Sequence, residues 1–204
     1  MADIQIIEAL QSILNEPLPG WKAQIDLMPQ GRDELAIPDD LQRAAVLIAL
    51  YPKKDEWHFP LIVRSHDGFA HSGQVALPGG RREGAETDIE TALREAEEEV
   101  NLPSKDIDIL GLTSPLPIPV SRHLVQPVVG FMHTVPDLQP EPREVDLIFN
   151  ISVNRFRDTT IQFETRHFKG RDWNIPYFDI DGHKVWGATA MILSEFQQLL
   201  LKIN

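Results

Sequence analysis

The chain of 204 residues contains no cysteine, so neither disulfides nor thiolate metal ligands are available to it. That suits a reducing compartment, and a soluble cytoplasmic protein is the expectation. Positive charge is scarce as well: 19 lysines and arginines stand against 31 acids, a formal net charge of −12. Such a balance argues against non-specific binding of nucleic acid or of anionic membranes, while leaving room for a local basic cleft around a phosphorylated substrate. Long apolar runs are missing too. The most apolar stretch, AAVLIAL at 44–50, falls far short of the roughly 18–20 residues a membrane span needs. The N-terminal MADIQIIEAL is acidic and amphipathic, without the basic and long apolar regions of a secretion signal. No internal repeat or low-complexity segment is visible.

What is present is the ordinary composition of a globular domain, 42% apolar and 25% charged, in a length that suits one domain with a full core. Ile6, Ile7, Leu10, Ile13 and Leu14 recur at helical spacing, and Pro17 and Pro19 end that pattern. Residues 18–42 read as an extended surface connection, which places a domain of 43–204 behind an N-terminal helix and linker at 1–42. AAVLIALYP and WHFPLIVR, separated by KKDE, predict a hairpin. Strand-like runs follow at 107–113, 124–133, 145–153 and 161–168, and Ala188, Ile192, Phe196, Leu199 and Ile203 mark the buried stripe of a C-terminal helix. Strands and helices interspersed with hairpin-length turns predict a mixed sheet packed by helices.

One segment is odd. LREAEEEVNL, residues 93–102, crowds Glu95, Glu97, Glu98 and Glu99 into a predicted helix that starts near Asp88, where Thr87 and Glu90 have capping-box spacing. At about 100° per residue, Ile89, Ala92, Leu93, Ala96 and Val100 share a buried arc. Glu95, Glu98 and Glu99 share a second arc, while Glu97 points elsewhere. An acidic triplet is most often a solvated face. Three like charges on one face cost about 0.2–0.5 kcal/mol per close pair, and a divalent cation reverses that sign. Hard oxygen ligands suit Mg²⁺ or Mn²⁺.

The wider stretch decides between the two. GRREGAETDIETALREAEEEVNL, starting at Gly80, resembles the Nudix hydrolase signature G-x5-E-x7-R-E-U-x-E-E-x-G-U, with U aliphatic. Gly80, Glu86, Arg94, Glu95, Glu98, Glu99 and Leu102 fall on its positions. Ala96 stands where a larger aliphatic is usual. Asn101 replaces the last glycine, just past the helix end, where asparagine is the next best residue for a left-handed backbone.

The resemblance implies an α/β/α Nudix sandwich with a mixed β-sheet and N- and C-terminal helices, and a diphosphatase that depends on Mg²⁺ or Mn²⁺. It implies that Glu95, Glu98 and Glu99, with a backbone carbonyl at Gly79 or Gly80, bind the ions, and that Glu86 and Arg94 lock loop to helix. The general base stays open between Glu98 and Glu144, the latter in EPREVDLIF. Upstream, LIVRSHDGFAHSGQVALPGG (61–80) resembles the extra motif of the coenzyme A diphosphatases, through Arg64, Ser65, His71, Gly73, Val75, Ala76 and Pro78-Gly79-Gly80. Arg64, Ser65 and His71 are the substrate-binding candidates this implies. RAAVLIALYP, LVQPVVGF and VWGATAMIL extend the likeness over about residues 40–200. Phe69 and Leu77 depart from the motif, which has arginine and phenylalanine there; Arg122, Arg166 and Lys169 are the basic residues available in place of the missing one. Trp173, Trp186 and Tyr177 are candidates to stack on adenine, with core packing favoured for Trp186. The other histidines, His66, His123, His133, His167 and His183, have no metal-ligand spacing and read as structural or exposed. The partner is a small-molecule nucleotide: coenzyme A or acyl-CoA, or else ADP-ribose, NADH or a nucleotide sugar. A reading of another class, a non-catalytic Nudix-fold binding module, conflicts with the complete set of carboxylates. A homodimer stays open, and neither nucleic acid nor membrane is expected.

Overall fold

A computed structural model of the chain describes residues 4–30, 36–66, 73–168 and 170–203. Strand β1 (Gln42–Lys53) organises it. A strand alternates its side chains between two faces, and both faces of β1 are buried. Ala45, Leu47, Ala49 and Tyr51 pack with Ala92, Ala96 and Val100 of helix α3 (Asp88–Val100). Ala44, Ile48 and Leu50 belong to the larger core on the other side, with helix α1 (Ile4–Leu14) and the C-terminal helix. Helices therefore cover both faces of the sheet, the expected α/β/α sandwich.

The predicted hairpin forms, but only at its tip. Lys54 and Asp55 both have positive φ, 51° and 63°, the two-residue turn whose twist suits a right-handed hairpin. β1 and β2 (Glu56–Arg64) pair only at Tyr51↔His58, Pro52↔Trp57 and Lys53↔Glu56. They then part, because each has other neighbours to satisfy. β1 runs parallel to β7 (His123–Phe131) from Gln42 to Leu50 and antiparallel to β4 (Gly79–Arg81). β2 pairs with β3 (Val75–Ala76) and with β8 (Val145–Ser152). β5 (Asp108–Leu112) and β6 (Leu116–Ile118) line up antiparallel to β7. One parallel contact among antiparallel ones makes the sheet mixed, as expected.

Three features differ from the sequence reading. Residues 18–42 are not simply an extended surface connection: α2 (Trp21–Gln24) and a following helical turn bury Ala23 and Leu27 completely. The C-terminal helix α5 (Gly187–Leu200) is buried around most of its circumference, not along a stripe, because the N-terminal segment packs on its outer side. Beyond β8 and the short helix α4 (Val153–Arg157), β9 (Ile161–Phe168), β10 (Arg171–Ile180) and β11 (His183–Trp186) form a separate three-stranded antiparallel sheet. Asp172, Asn174, Pro176 and Asp179 interrupt the apolar pattern of β10 and hide it from a periodicity argument. No helix among the described residues is long and apolar enough to cross a membrane.

Candidate active site

Helix α3 carries the acidic cluster, and both its ends are fixed locally. The Thr87 side chain accepts from the Glu90 N–H while the Glu90 carboxylate accepts from the Thr87 N–H at 2.7 Å, the expected capping box. Asn101 closes the other end with φ 58° and ψ 37°, in the left-handed conformation expected of it. A contact not anticipated from the sequence holds the start of α3: Asp88 accepts from Arg43 of β1 and from Arg82, the latter at 2.6 Å. These partners are remote or irregularly spaced in the chain and carry no periodic signal.

The buried arc of α3 differs from the helical-wheel expectation in an informative way. Thr91 and Glu99 are buried, whereas Ile89 and Leu93 are only partly so. Glu99 is 1% exposed. Its Oε2 accepts from the Gly79 N–H at 2.8 Å, and its Oε1 accepts no hydrogen bond, its nearest cation being Arg64 Nη1 at 3.6 Å. Burial raises the Glu99 carboxyl to about 7, opposed by the Gly79 hydrogen bond and Arg64 and reinforced by the charges of Glu95 and Glu144. Burial also raises Glu95, against the pull of Arg94. A buried carboxylate with one unpartnered oxygen is costly unless a cation completes it.

Arg94 meets Glu86, Glu95 and Glu98 together. Its Nε donates to Glu86 at 2.7 Å, and its Nη1 lies 3.0 Å from both Glu95 and Glu98. The Arg94 hydrogen bond, with that from the Glu83 N–H, holds the Glu86 carboxyl down to about 2. Arg94 stands between Glu95 and Glu98, and among the described residues no three aspartate, glutamate or histidine side chains form a preformed metal cluster. Gly80 keeps the loop close. A Cβ there would lie 2.5 Å from the Glu95 carboxylate, and one on Gly79, at φ 151°, would lie 2.4 Å from the Ala45 carbonyl oxygen. The donor chemistry fits a hard divalent cation: Glu95 and Glu99 lie against the glycine loop, Glu99 with an oxygen that accepts no hydrogen bond, and Glu98 is linked to Glu95 through Arg94.

The other candidates separate. Glu144 sits exposed immediately before β8, close enough for its charge to act on both Glu95 and Glu99. Ser65 holds that corner, its hydroxyl donating to the Arg143 carbonyl at 2.8 Å and its N–H to the Glu144 carbonyl at 2.9 Å. Arg64 lines a cavity of about 660 Å³ that runs from Gly79, Gly80 and Arg81 past Val46 and Val125 to Trp186 and Thr189. His71, Phe69 and Lys169 lie outside the described residues. Arg122 pairs with Asp40, while His66, His133 and His167 pair with aspartates at the surface. Trp186 is half-buried on the cavity wall, more open than core packing implied.

The profile of the NUDIX domain family matches residues 41–173, which is most of the chain. Nudix hydrolase 15, mitochondrial, of Arabidopsis thaliana is 36% identical over 163 residues, covering 74% of this chain and 56% of that protein. The human protein named mitochondrial coenzyme A diphosphatase NUDT8 is 34% identical over 134 residues, covering 64% of this chain and 57% of that one. The chain thus spans little more than half the length of these relatives. Among solved structures, the Nudix hydrolase RenU of M. smegmatis matches with a TM-score of 0.57 at 15% identity, over 87% of this chain and 95% of that one, a likeness of fold alone. The glycine loop, the capped acidic helix and the sandwich that carries them agree with the profile: the chain belongs to the Nudix hydrolase family.

Proposed function

We propose that the protein is a divalent-metal-dependent diphosphatase that cleaves coenzyme A, or an acyl derivative, at its diphosphate. The products are 3′,5′-ADP and 4′-phosphopantetheine or its acylated form. The observation that carries the hydrolytic part is the buried Glu99 Oε1, which accepts no hydrogen bond and lies with Glu95 at the glycine loop. Glu95, Glu98 and Glu99 would hold Mg²⁺ or Mn²⁺, with the Gly79 carbonyl as backbone ligand. The bound ion supplies Lewis acidity, which activates water and stabilises charge on the leaving oxygen. With the ion bound, Arg94, shared here between Glu95 and Glu98, would cede them and keep its bond to Glu86, which holds helix to loop. Arg64 sits in the cavity wall beside Glu99, where a diphosphate oxygen is its natural partner.

For the general base, Glu144 is the better choice. A carboxylate bound to a cation is a poor proton acceptor, and Glu98 has that duty in this assignment, whereas Glu144 stands near the ligands without being one. Glu144→Gln then lowers kcat and leaves metal affinity in place, while Glu98→Gln weakens both.

The coenzyme A reading rests on the resemblance of residues 61–80 and on the name of the human relative. Its test is a competition assay with coenzyme A, dephospho-coenzyme A, ADP-ribose and NADH at equal concentration in Mg²⁺. Preference for coenzyme A over its dephospho form is expected. Preference for ADP-ribose or NADH would overturn the substrate and leave the diphosphatase, and no hydrolysis of any of them would favour a binding module.

A further inference from the structure

The cavity that begins at the glycine loop reaches Trp186 of the second sheet. Trp186 of β11 pairs with Tyr177 of β10, so both rings stand on the same face of that sheet. The Arg166 guanidinium, from β9, lies 5.2 Å from the centre of the Trp186 ring, and Lys184 Nζ lies 5.1 Å from that of Tyr177. A single carboxylate oxygen, Glu164 Oε2, holds both cations, at 3.1 Å from Arg166 and 3.0 Å from Lys184. Asp179, the cross-strand partner of Lys184, brings a second acid to the same face, so the two cations there are balanced and Arg166 shares Glu164 with Lys184 rather than holding it alone.

We infer that Trp186 and Arg166 form a nucleoside subsite: the indole stacks the substrate's base, and Arg166 pairs with a phosphate on that nucleoside's ribose. The inference rests on the proposed diphosphatase reading for its substrate and adds to it the residues that recognise the nucleoside end. Three physical points support it. An indole face at a cavity wall is a sequence-tolerant platform for a purine. The guanidinium over the Trp186 ring is planar, so a base can take its place on the indole with like geometry. Its bond to Glu164 is a partly exposed ion pair, and such pairs contribute about 0–1 kcal/mol, so a phosphate can draw Arg166 away at small cost. Lys184, still held by Glu164, keeps the acid from repelling the incoming anion. The cluster also supplies a cation for the role that Phe69, in place of the motif arginine, leaves open.

The test is isothermal titration of the full chain with adenosine 3′,5′-bisphosphate and with adenosine 5′-monophosphate, neither of which needs turnover to be read. Wild type should prefer the bisphosphate. Arg166→Gln should lose about tenfold or more in affinity for the bisphosphate and little for the monophosphate, bringing the two together. Trp186→Ala should weaken both by about tenfold, and Trp186→Phe, which keeps a ring and guards against a folding artefact, should restore most of the loss. A bisphosphate preference that survives Arg166→Gln, unchanged affinities in Trp186→Ala, or no binding of either nucleotide to wild type would overturn the subsite. In kinetics the same variants should raise KM for coenzyme A with kcat kept. Absence of coenzyme A hydrolysis by wild type would sink the substrate reading instead, and leaves the titration interpretable on its own.

Discussion

Glu99 and Glu195 are buried alike, 1% and 0% exposed, and are treated in opposite ways by their surroundings. Glu195, on α5, accepts four hydrogen bonds: from the Gly20 N–H at 2.9 Å, the Ser114 hydroxyl at 2.7 Å, the Ser114 N–H at 3.1 Å and Gln24 Nε2 at 3.0 Å. Its two oxygens are saturated by neutral donors, and the knot ties α2 and the residue after β5 and Thr113 to the C-terminal helix. Glu99 receives one backbone N–H, and its Oε1 accepts no hydrogen bond, with only the long Arg64 ion pair at 3.6 Å beside it. A carboxylate built for stability is satisfied within the fold; one left half-satisfied in a buried place is set for something from outside. The two glutamates thus separate the scaffold from the site.

The largest break in that comparison is catalytic. Glu99→Gln or Glu98→Gln should cut turnover by about two orders of magnitude or more with the fold intact, measured by phosphate release coupled to a phosphatase. Glu195→Gln should do the reverse, since its amide NH₂ would face donors at Ser114 or Gln24. The expected cost is about 2–4 kcal/mol of stability in denaturant titration, with activity per folded molecule retained.

A smaller effect has the opposite sign at Glu99. Its folded carboxyl is raised to about 7 from the ordinary glutamate value of 4.5, so metal-free protein binds an extra proton relative to the unfolded chain between those values. Stability contributed by neutral Glu99 is present at low pH and lost as pH rises through 7. In chelator at pH 8, Glu99→Gln should therefore be more stable than wild type by about 1–3 kcal/mol, with the gap closing below pH 4.5. Glu86 gives the smallest and mirror-image case. Its carboxyl is lowered from 4.5 to about 2, so its contribution is whole above pH 4.5 and disappears as pH falls through 2. Acid unfolding of Glu86→Gln should show a flatter stability profile across that window than wild type.

The legibility of the two regions differs for the same physical reason. The capping box, the left-handed Asn101 and the mixed sheet were readable because each is written in local spacing or in period-two and helical patterns. The Glu195 knot was not: its donors at 20, 24 and 114 are 81 to 175 residues away in sequence, and a lone glutamate on an apolar helix gives no sign of who will satisfy it. For the same reason the burial of Glu99 escaped the helical wheel, which ranks residues by hydropathy and cannot see a backbone N–H from Gly79 waiting on the sheet. That Trp186 faces a cavity depends on where a second sheet docks, which no local pattern reports.

The central claim is that the half-satisfied carboxylate and its neighbours on α3 take a divalent cation, and calorimetric titration of Mn²⁺ into metal-free protein tests it most directly. The account predicts saturable binding by wild type and by Glu195→Gln, with binding abolished or weakened at least about tenfold in Glu99→Gln. Mn²⁺ affinity in Glu99→Gln equal to that of wild type would contradict it.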